Sequence, residues 1–211
     1  MVESARLKST RGSVEWYTPP HIIKAARDVL GAIDLDPATS LYAQTYGVEA
    51  RRFYSLEAGE DGLELPWSGR VWLNPPYKAV KPWIDRMVNA WRSQEIEAGL
   101  LLINANTETR WFSTLWPHAI CFIHGRLKFW RPSGTDAPEI TTSAPHGNAV
   151  VYFGGDLLRF AHVFSRFGSV IWPAVDSFSQ RYLNPRELDT LVSARHFTPH
   201  APITTQKDKS P

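Results

Sequence analysis

The sequence predicts an α/β fold: a mostly parallel sheet with helices on both faces and an antiparallel pair at one edge. Three observations predict it. Short apolar runs alternate with segments of helical period, as strand–helix–strand units require. The run Val71-Trp72-Leu73 is apolar throughout, as a strand covered on both faces is. The later runs 119–130 and 149–153 are joined by loop-type residues without helical pattern, which suits antiparallel neighbours at an edge.

The elements follow in order. Ile22, Ile23, Ala26, Val29 and Leu30 recur at helical spacing after Thr18-Pro19-Pro20. Thr18 is a candidate N-cap, the prolines suit a first turn, and Gly31 stops the helix. Ala32 to Asp36 reads as a short strand halted by Pro37. Residues 38–50 form a short helix or a loop, 52–56 a short strand, and 57–66 an acidic loop. Arg70 to Leu73 is a strand that must end at Pro75-Pro76, because prolines cannot donate to a central ladder. A helix from Lys81-Pro82 carries Trp83, Ile84, Met87, Val88 and Trp91 on one side. Further strands are expected at 98–103, 119–123, 127–130, 149–153 and 170–172, and helices at 109–115 and 157–167. Residues 131–147, rich in Pro, Ser, Thr and Gly, read as loop.

The 211 residues suit one domain with a real core, and 43% hydrophobic against 21% charged is globular composition. Residues 1–13, with Arg6, Lys8 and Arg11, read as a flexible basic arm, 14–198 as a single domain, and 199–211 as a disordered tail. A net charge of +2 excludes bulk electrostatic coating of nucleic acid but permits a local basic face. The single cysteine, Cys121, excludes an intrachain disulfide and sits in an apolar run, so it reads as buried and inert. His118, His124 and His146 lack Cys or carboxylate partners at ligand spacing, so no metal is expected. The polar N-terminus has no signal-peptide core, and no apolar run approaches the roughly 20 residues of a membrane span. A cytoplasmic protein with no membrane partner is expected.

In open α/β sheets ligands bind beyond the carboxyl ends of strands. Two strands end informatively, one at Asp36-Pro37 and one at Asn74-Pro75-Pro76-Tyr77. An Asn amide oxygen and a nearby carbonyl are two acceptors, which can take both hydrogens of an exocyclic amine and aim its lone pair at an electrophile. The prolines Pro75 and Pro76 stiffen the turn, so its carbonyls are aimed in advance. Tyr77 supplies a flat face for a base taken out of its stack. That chemistry needs neither metal nor covalent nucleophile.

Asn74-Pro75-Pro76-Tyr77 resembles the Asn/Asp-Pro-Pro-Tyr/Phe signature of amino-methyltransferases. Together with Glu15-Trp16-Tyr17-Thr18-Pro19, Leu35-Asp36-Pro37-Ala38, Asp61-Gly62-Leu63, Trp67, Gly125-Arg126-Leu127-Lys128-Phe129 and Ala144-Pro145 to Phe153, it is similar to the phage-type, Dam-like DNA N6-adenine methyltransferases over residues 15 to about 172. The resemblance implies a Rossmann-like fold, S-adenosylmethionine as cofactor, DNA as substrate, and a bacterial or phage-infected cell. It implies that Asn74, Pro75, Pro76 and Tyr77 hold the target adenine. It places Tyr17, Thr18 and Pro19 against the cofactor, Asp36, Pro37 and Ala38 near its methionine moiety, and Asp61 near its adenine. Glu57 and Glu49 are candidates for the ribose. Lys78, Lys81, Arg126, Lys128 and Arg131 are candidate phosphate contacts or a solvated basic face. His146-Gly147-Asn148 is either a recognition loop or a hairpin connection. Segments 131–147 and 173–198 are the expected readers of DNA sequence.

The chain departs from the wider methyltransferase pattern at Ala38-Thr39-Ser40-Leu41, which lacks the glycines that bring backbone close to a cofactor. The signature also serves cytosine N4, RNA adenine and protein glutamine amines. A non-catalytic nucleic-acid-binding module on a decayed methyltransferase fold is the reading from another class. Oligomeric state is open.

Overall fold

The computed structural model describes residues 17–132 and 138–172. The chain divides into two compact units, Met1–Pro173 and Ala174–Pro211, and every described residue lies in the first. The arm at 1–13, Glu15, Trp16, the segment 173–198 and the tail 199–211 lie outside the described residues.

Among the described residues, nine strands form two sheets. They are β1 (Leu35–Asp36), β2 (Arg52–Phe53), β3 (Arg70–Leu73), β4 (Ala98–Asn104), β5 (Ala119–Ile123), β6 (Lys128–Pro132), β7 (Pro138–Ser143), β8 (Asn148–Phe153) and β9 (Gly168–Ile171). The main sheet has seven strands in the order β2-β1-β3-β4-β8-β5-β9, and β6 and β7 form a separate hairpin. The α-helices among the described residues are α1 (Pro20–Leu30), α2 (Leu41–Ala43), α3 (Val80–Arg92) and α4 (Leu157–Phe164).

The sheet is mixed rather than mostly parallel. β1 pairs in parallel with β2 and β3, and β3 with β4; β8 pairs antiparallel with β4 and β5, and β5 with β9. The expected pairing of 119–123 with 149–153 is present, in the register Ile120↔Val151, but not at an edge. The reason lies in β8, which is buried at all six positions. So apolar a run needs a neighbour on each side and cover on each face. The edge falls to β9, where exposed and buried positions alternate.

Strand side chains alternate between faces. Leu35, Val71, Leu73, Leu101, Ile103, Ile120, Val151 and Phe153 pack with Trp83, Ile84, Met87 and Val88 of α3. On the other face, the Tyr152 ring stacks on Phe160 of α4 at 5.1 Å, and the Cys121 thiol reaches the Phe164 carbonyl at 3.5 Å. α1 packs beside α4 and buries Ile22, Ile23, Ala26, Val29 and Leu30. Helices therefore cover both faces, as expected, and Cys121 is fully buried with its thiol pushed up to about 12 by desolvation.

Three further expectations change. Pro19, not Thr18, occupies the N-cap position of α1, without a side-chain cap bond. The Thr18 hydroxyl is engaged elsewhere, and Pro20 needs no donor in a first turn. Residues 131–147 are not simply loop: Lys128–Pro132 and Pro138–Ser143 pair as the antiparallel hairpin β6–β7. The β-branched residues Ile140, Thr141 and Thr142 suit a strand despite the flanking prolines, which sit where the hairpin ends. The helix expected over 109–115 is reduced to one 3-10 turn, Phe112–Leu115, whose Phe112 and Leu115 are buried.

At the end remote from the strand carboxyl termini, Arg70 donates to Asp34 at 2.6 Å and to the Leu30 carbonyl at 3.1 Å. The Arg70 guanidinium holds the Asp34 carboxyl below its ordinary range. This tie aligns the starts of β1 and β3, whose other ends carry the functional residues.

Candidate active site

Asp36 and Asn74 share the sheet face covered by α1. Leu35 and Val71 are paired, so Asp36 is level with Trp72 and Asn74 lies two residues further out on the next strand. With a rise of ~3.3 Å per residue and ~4.8 Å between strands, their Cα atoms are about 8 Å apart. The start of α1 bridges that gap. Tyr17 accepts a hydrogen bond from the Ser40 hydroxyl at 3.3 Å, and Thr18 accepts one from Asn74 Nδ2 at 3.2 Å. Tyr17 also packs its ring on Tyr42 at 4.8 Å. Tyr17, Thr18, Pro20, Tyr42, Ala43, Gly47 and Val48 line a cavity there.

The Asn74 amide lies between two hydroxyls. Tyr77 donates to Asn74 Oδ1 at 3.2 Å, on the side opposite Thr18. Asn74 and Tyr77 are half-buried, Pro75 is buried and Pro76 exposed. The Pro76 carbonyl accepts from Ala79 N and closes a 3-10 turn over Tyr77–Ala79. Among the described residues none donates to the Pro75 carbonyl. Two acceptors, Asn74 Oδ1 and Pro75 O, therefore stand at the end of β3, as an exocyclic amine requires. Desolvation pushes the Tyr77 phenol well above its ordinary range, so Tyr77 is a donor and not a base. Its ring meets Phe129 edge-on at 6.5 Å, which seats the β6–β7 hairpin beside the turn.

At β1, Asp36 is buried with the Ala38 N–H 3.4 Å from Oδ1 and Gln44 donating to Oδ2 at 2.9 Å. Gln44 also donates to Thr39 and accepts from Ala50 N. It opens a π-helical segment, Gln44–Val48, that continues α2. Desolvation outweighs these bonds and raises the Asp36 pKa to about 7.

A stability test follows, with the sign set by which state binds the proton. Between 3.8 and about 7 the folded chain keeps a proton on Asp36 that the unfolded chain has lost. Asp36 therefore favours folding fully at low pH, and that contribution is lost as pH rises through about 7. His118 acts oppositely. It is buried against Phe153 at 4.2 Å, and burial, helped by Arg92, lowers its pKa from 6.5 to about 4. Stability is lost from His118 as pH falls through that window. The two slopes oppose each other in the native chain. Asp36→Asn should unmask the histidine: its melting temperature should drop more steeply than wild type between pH 6.5 and 4. Superimposable melting profiles would show that Asp36 does not titrate in this window.

Asp61 is exposed and caps a turn, its Oδ1 accepting from Leu63 N at 2.9 Å. Gly62 presses on the Pro37 carbonyl, where an added Cβ would come within 1.8 Å. Trp67 donates to the Gly62 carbonyl at 2.7 Å, and Arg86 lies over the Trp67 ring. Asp61 is thus held beside the Asp36-Pro37-Ala38 loop. Glu57 reaches the Leu41 N–H at 3.5 Å on the same loop. Glu49 is drawn away into an ion pair with Arg27 at 3.2 Å.

The basic candidates divide. Lys78 and Lys128 are exposed and form no ion pair among the described residues. Lys81 pairs with Asp85. Arg126 donates to the Ala144 and Pro145 carbonyls and so clamps the base of the hairpin. The Arg131 side chain lies outside the described residues. His146-Gly147 connects β7 to β8, and the Gly147 carbonyl accepts from Ala105 N. Asn148 is buried, with Nδ2 3.4 Å from Asn104 Oδ1.

Sequence reasoning missed Ser40, Gln44 and Phe129 as parts of this site. Ser40 carried a signal, since it caps α2 by accepting from Ala43 N. Gln44 carried none, because only the wider π turn places its amide on Asp36.

A mixed α/β sheet with helices on both faces, and an interior strand that ends in two hydrogen-bond acceptors beside an aromatic ring, is consistent with a methyltransferase-like fold. The chain belongs to the DNA N-6-adenine-methyltransferase (Dam) family, whose model matches residues 4–154. A comparison with curated proteins finds no match. The described helices include none long and apolar enough to cross a membrane.

Proposed function

We propose that the chain methylates the N6 amine of an adenine rotated out of DNA, using S-adenosylmethionine. The observation that carries this reading is the Asn74 carboxamide, held at both ends at the tip of β3 beside the Pro75 carbonyl, to which none of the described residues donates.

The loop after β1 fits the cofactor by the chemistry of its donors. Asp36 lies inside it, Glu57 against it and Asp61 beside it, an acidic surround for a ligand that carries sulfonium and ammonium charges. Tyr17 and Tyr42 add aromatic surface. The missing glycines after Pro37 are offset at Gly62, where backbone packs on backbone without a side chain between. When bound, S-adenosylmethionine supplies an electrophilic methyl carbon on sulfur.

The chain's residues do the rest. Asn74 Oδ1 and Pro75 O accept the two amine hydrogens and draw the nitrogen lone pair out of conjugation with the ring. Tyr77, backed edge-on by the buried Phe129, offers its ring to the extracted base, which must leave its stack to be reached. Held so by Asn74 and Pro75, the nitrogen would present its lone pair to the methyl group that S-adenosylmethionine, seated against Tyr17, Asp36 and Asp61, would supply. Asn74 is not a base and Tyr77 stays protonated, so the surplus proton passes to water. Lys78 and Lys128 flank the turn and hairpin and are placed to meet phosphate.

Radiolabelled S-adenosylmethionine and adenine-containing DNA test this directly. Label on N6-methyladenine is expected; label only on cytosine, RNA or a glutamine peptide would overturn the adenine assignment, and no transfer with DNA binding intact would favour a binding module. Tyr77→Phe keeps the ring and should retain kcat within about tenfold, the scale of one neutral hydrogen bond. Tyr77→Ala removes the stacking face, worth ~1–3 kcal/mol per base, and should weaken DNA binding or turnover by about 10- to 100-fold. Equal losses in both variants would assign the function to the hydroxyl instead.

A further inference from the structure

We propose that Thr18 is a positioning residue for methyl transfer: its hydroxyl holds the Asn74 carboxamide in place at the end of β3. The inference rests on Asn74 as amine acceptor, and it differs from the cofactor contact that family resemblance implies for Thr18.

A carboxamide is nearly symmetric in shape but opposite in hydrogen-bonding sense at its two ends. A half-turn of the Asn74 side chain would present N–H donors to the amine hydrogens and stop the reaction. A hydroxyl can accept from Nδ2 or donate to Oδ1, so what a partner outside the turn supplies is a fixed position for the carboxamide. Thr18 Oγ1 is that partner, 3.2 Å from Nδ2. Tyr77 acts on the other end, donating to Oδ1 at 3.2 Å. An amide oxygen has two lone pairs, so the Tyr77 bond alone does not exhaust it.

Thr18 is well placed to direct another residue because its own backbone is anchored on both sides. Pro19 restricts the residue before it to extended backbone. The Pro19 carbonyl accepts from Ile22 N at 2.9 Å, which ties it to α1. On the other side, Tyr17 is bonded to Ser40 on the loop after β1. The hydroxyl is therefore delivered to Asn74 from a rigid helix start, across 56 residues of sequence.

The test uses the full chain with Thr18→Val, which keeps the branched shape and loses the acceptor, and Thr18→Ser, which keeps the hydroxyl. Thr18→Val should lower kcat at saturating cofactor by about tenfold or more, the effect of one lost hydrogen bond on a transition-state contact. Its dissociation constants for S-adenosylmethionine and DNA should stay within about twofold, and Thr18→Ser should restore kcat. The Asn74 side-chain amide resonances in nitrogen–proton NMR should move in Thr18→Val and return in Thr18→Ser, without substrate present. An unmoved Asn74 resonance, or a wild-type kcat in Thr18→Val, would overturn the proposal. Weakened cofactor binding with an unchanged saturated kcat would also overturn it and make Thr18 a cofactor contact. If the wild-type chain transfers no methyl group to DNA, the functional reading fails with it, whatever the resonances show of the bond.

Discussion

Asn74→Ala should lower methyl transfer to adenine by about 10²- to 10³-fold or more, the scale seen when one preorganised polar group is taken from a transition state. The loss should fall on kcat. Asn74 Oδ1 does little for a ground-state amine that water would solvate as well. It matters as the nitrogen rehybridises and its hydrogens become more acidic, so the interaction strengthens along the reaction. Affinity for S-adenosylmethionine should change by no more than a few-fold, because Asp36 and the loop after β1 lie on a neighbouring strand, two residues behind Asn74. Asn74→Asp is the informative companion. A carboxylate keeps the acceptor and loses the donor to Thr18, so substantial activity should survive. Single-turnover rates with labelled cofactor, alongside calorimetric titration, separate the effects. A wild-type rate in Asn74→Ala would remove the mechanism.

Gly62→Ala should be the most damaging single methyl group in the chain that bears on the site. The added Cβ would come 1.8 Å from the Pro37 carbonyl oxygen and 2.8 Å from its carbon. Both are backbone atoms, so no side chain can swing aside. Gly62 cannot retreat freely, because its carbonyl accepts from the buried Trp67 indole at 2.7 Å. Trp67 is itself braced by Arg86, whose guanidinium pairs with Glu95 at 2.6 Å. Overpacking of this kind costs about 1–3 kcal/mol, occasionally more. For a chain of this size that is a fall of roughly 5–10 °C in Tm. Pro37 must also move, and Asp36 and Ala38 with it, so cofactor affinity should weaken together with stability. Gly59→Ala is the control: Gly59, unlike Gly62, has a positive φ, 78°, and open space around its Cβ position. Its cost should be backbone strain alone, without the loss of cofactor affinity. Equal cofactor affinity in Gly62→Ala and wild type would separate the 61–63 turn from the site.

Much of this was legible in the sequence for local reasons. Prolines forbid ladders, so Pro75-Pro76 had to end β3 and expose Asn74 at its tip. Helical spacing of apolar residues located α1 and α3 within a residue or two. The apolar residue at every position of Val71-Trp72-Leu73 announced a strand covered on both faces, and all three are buried. The errors were of another kind. The hairpin β6–β7 was hidden because its flanking Pro, Ser and Thr residues also suit loops, and cross-strand pairing decided between the two. The place of β8 was misjudged because sequence proximity to β5 gives the pairing but not the neighbour on the other side.

By itself, then, the sequence determined that Asn74, Pro75, Pro76 and Tyr77 stand at the end of a buried strand, since residue type, proline stereochemistry and apolar runs act over a few positions. Only the tertiary structure decided their partners. The Thr18 hydroxyl could cap its own helix or serve a distant side chain, and the packing of α1 over β3 turned it to Asn74. A glycine in an acidic turn became the support of the Pro37 loop because two backbones meet there with no room for a Cβ. Such contacts join residues far apart in the chain, and no local preference encodes a contact whose geometry exists only once the sheet and helices have packed.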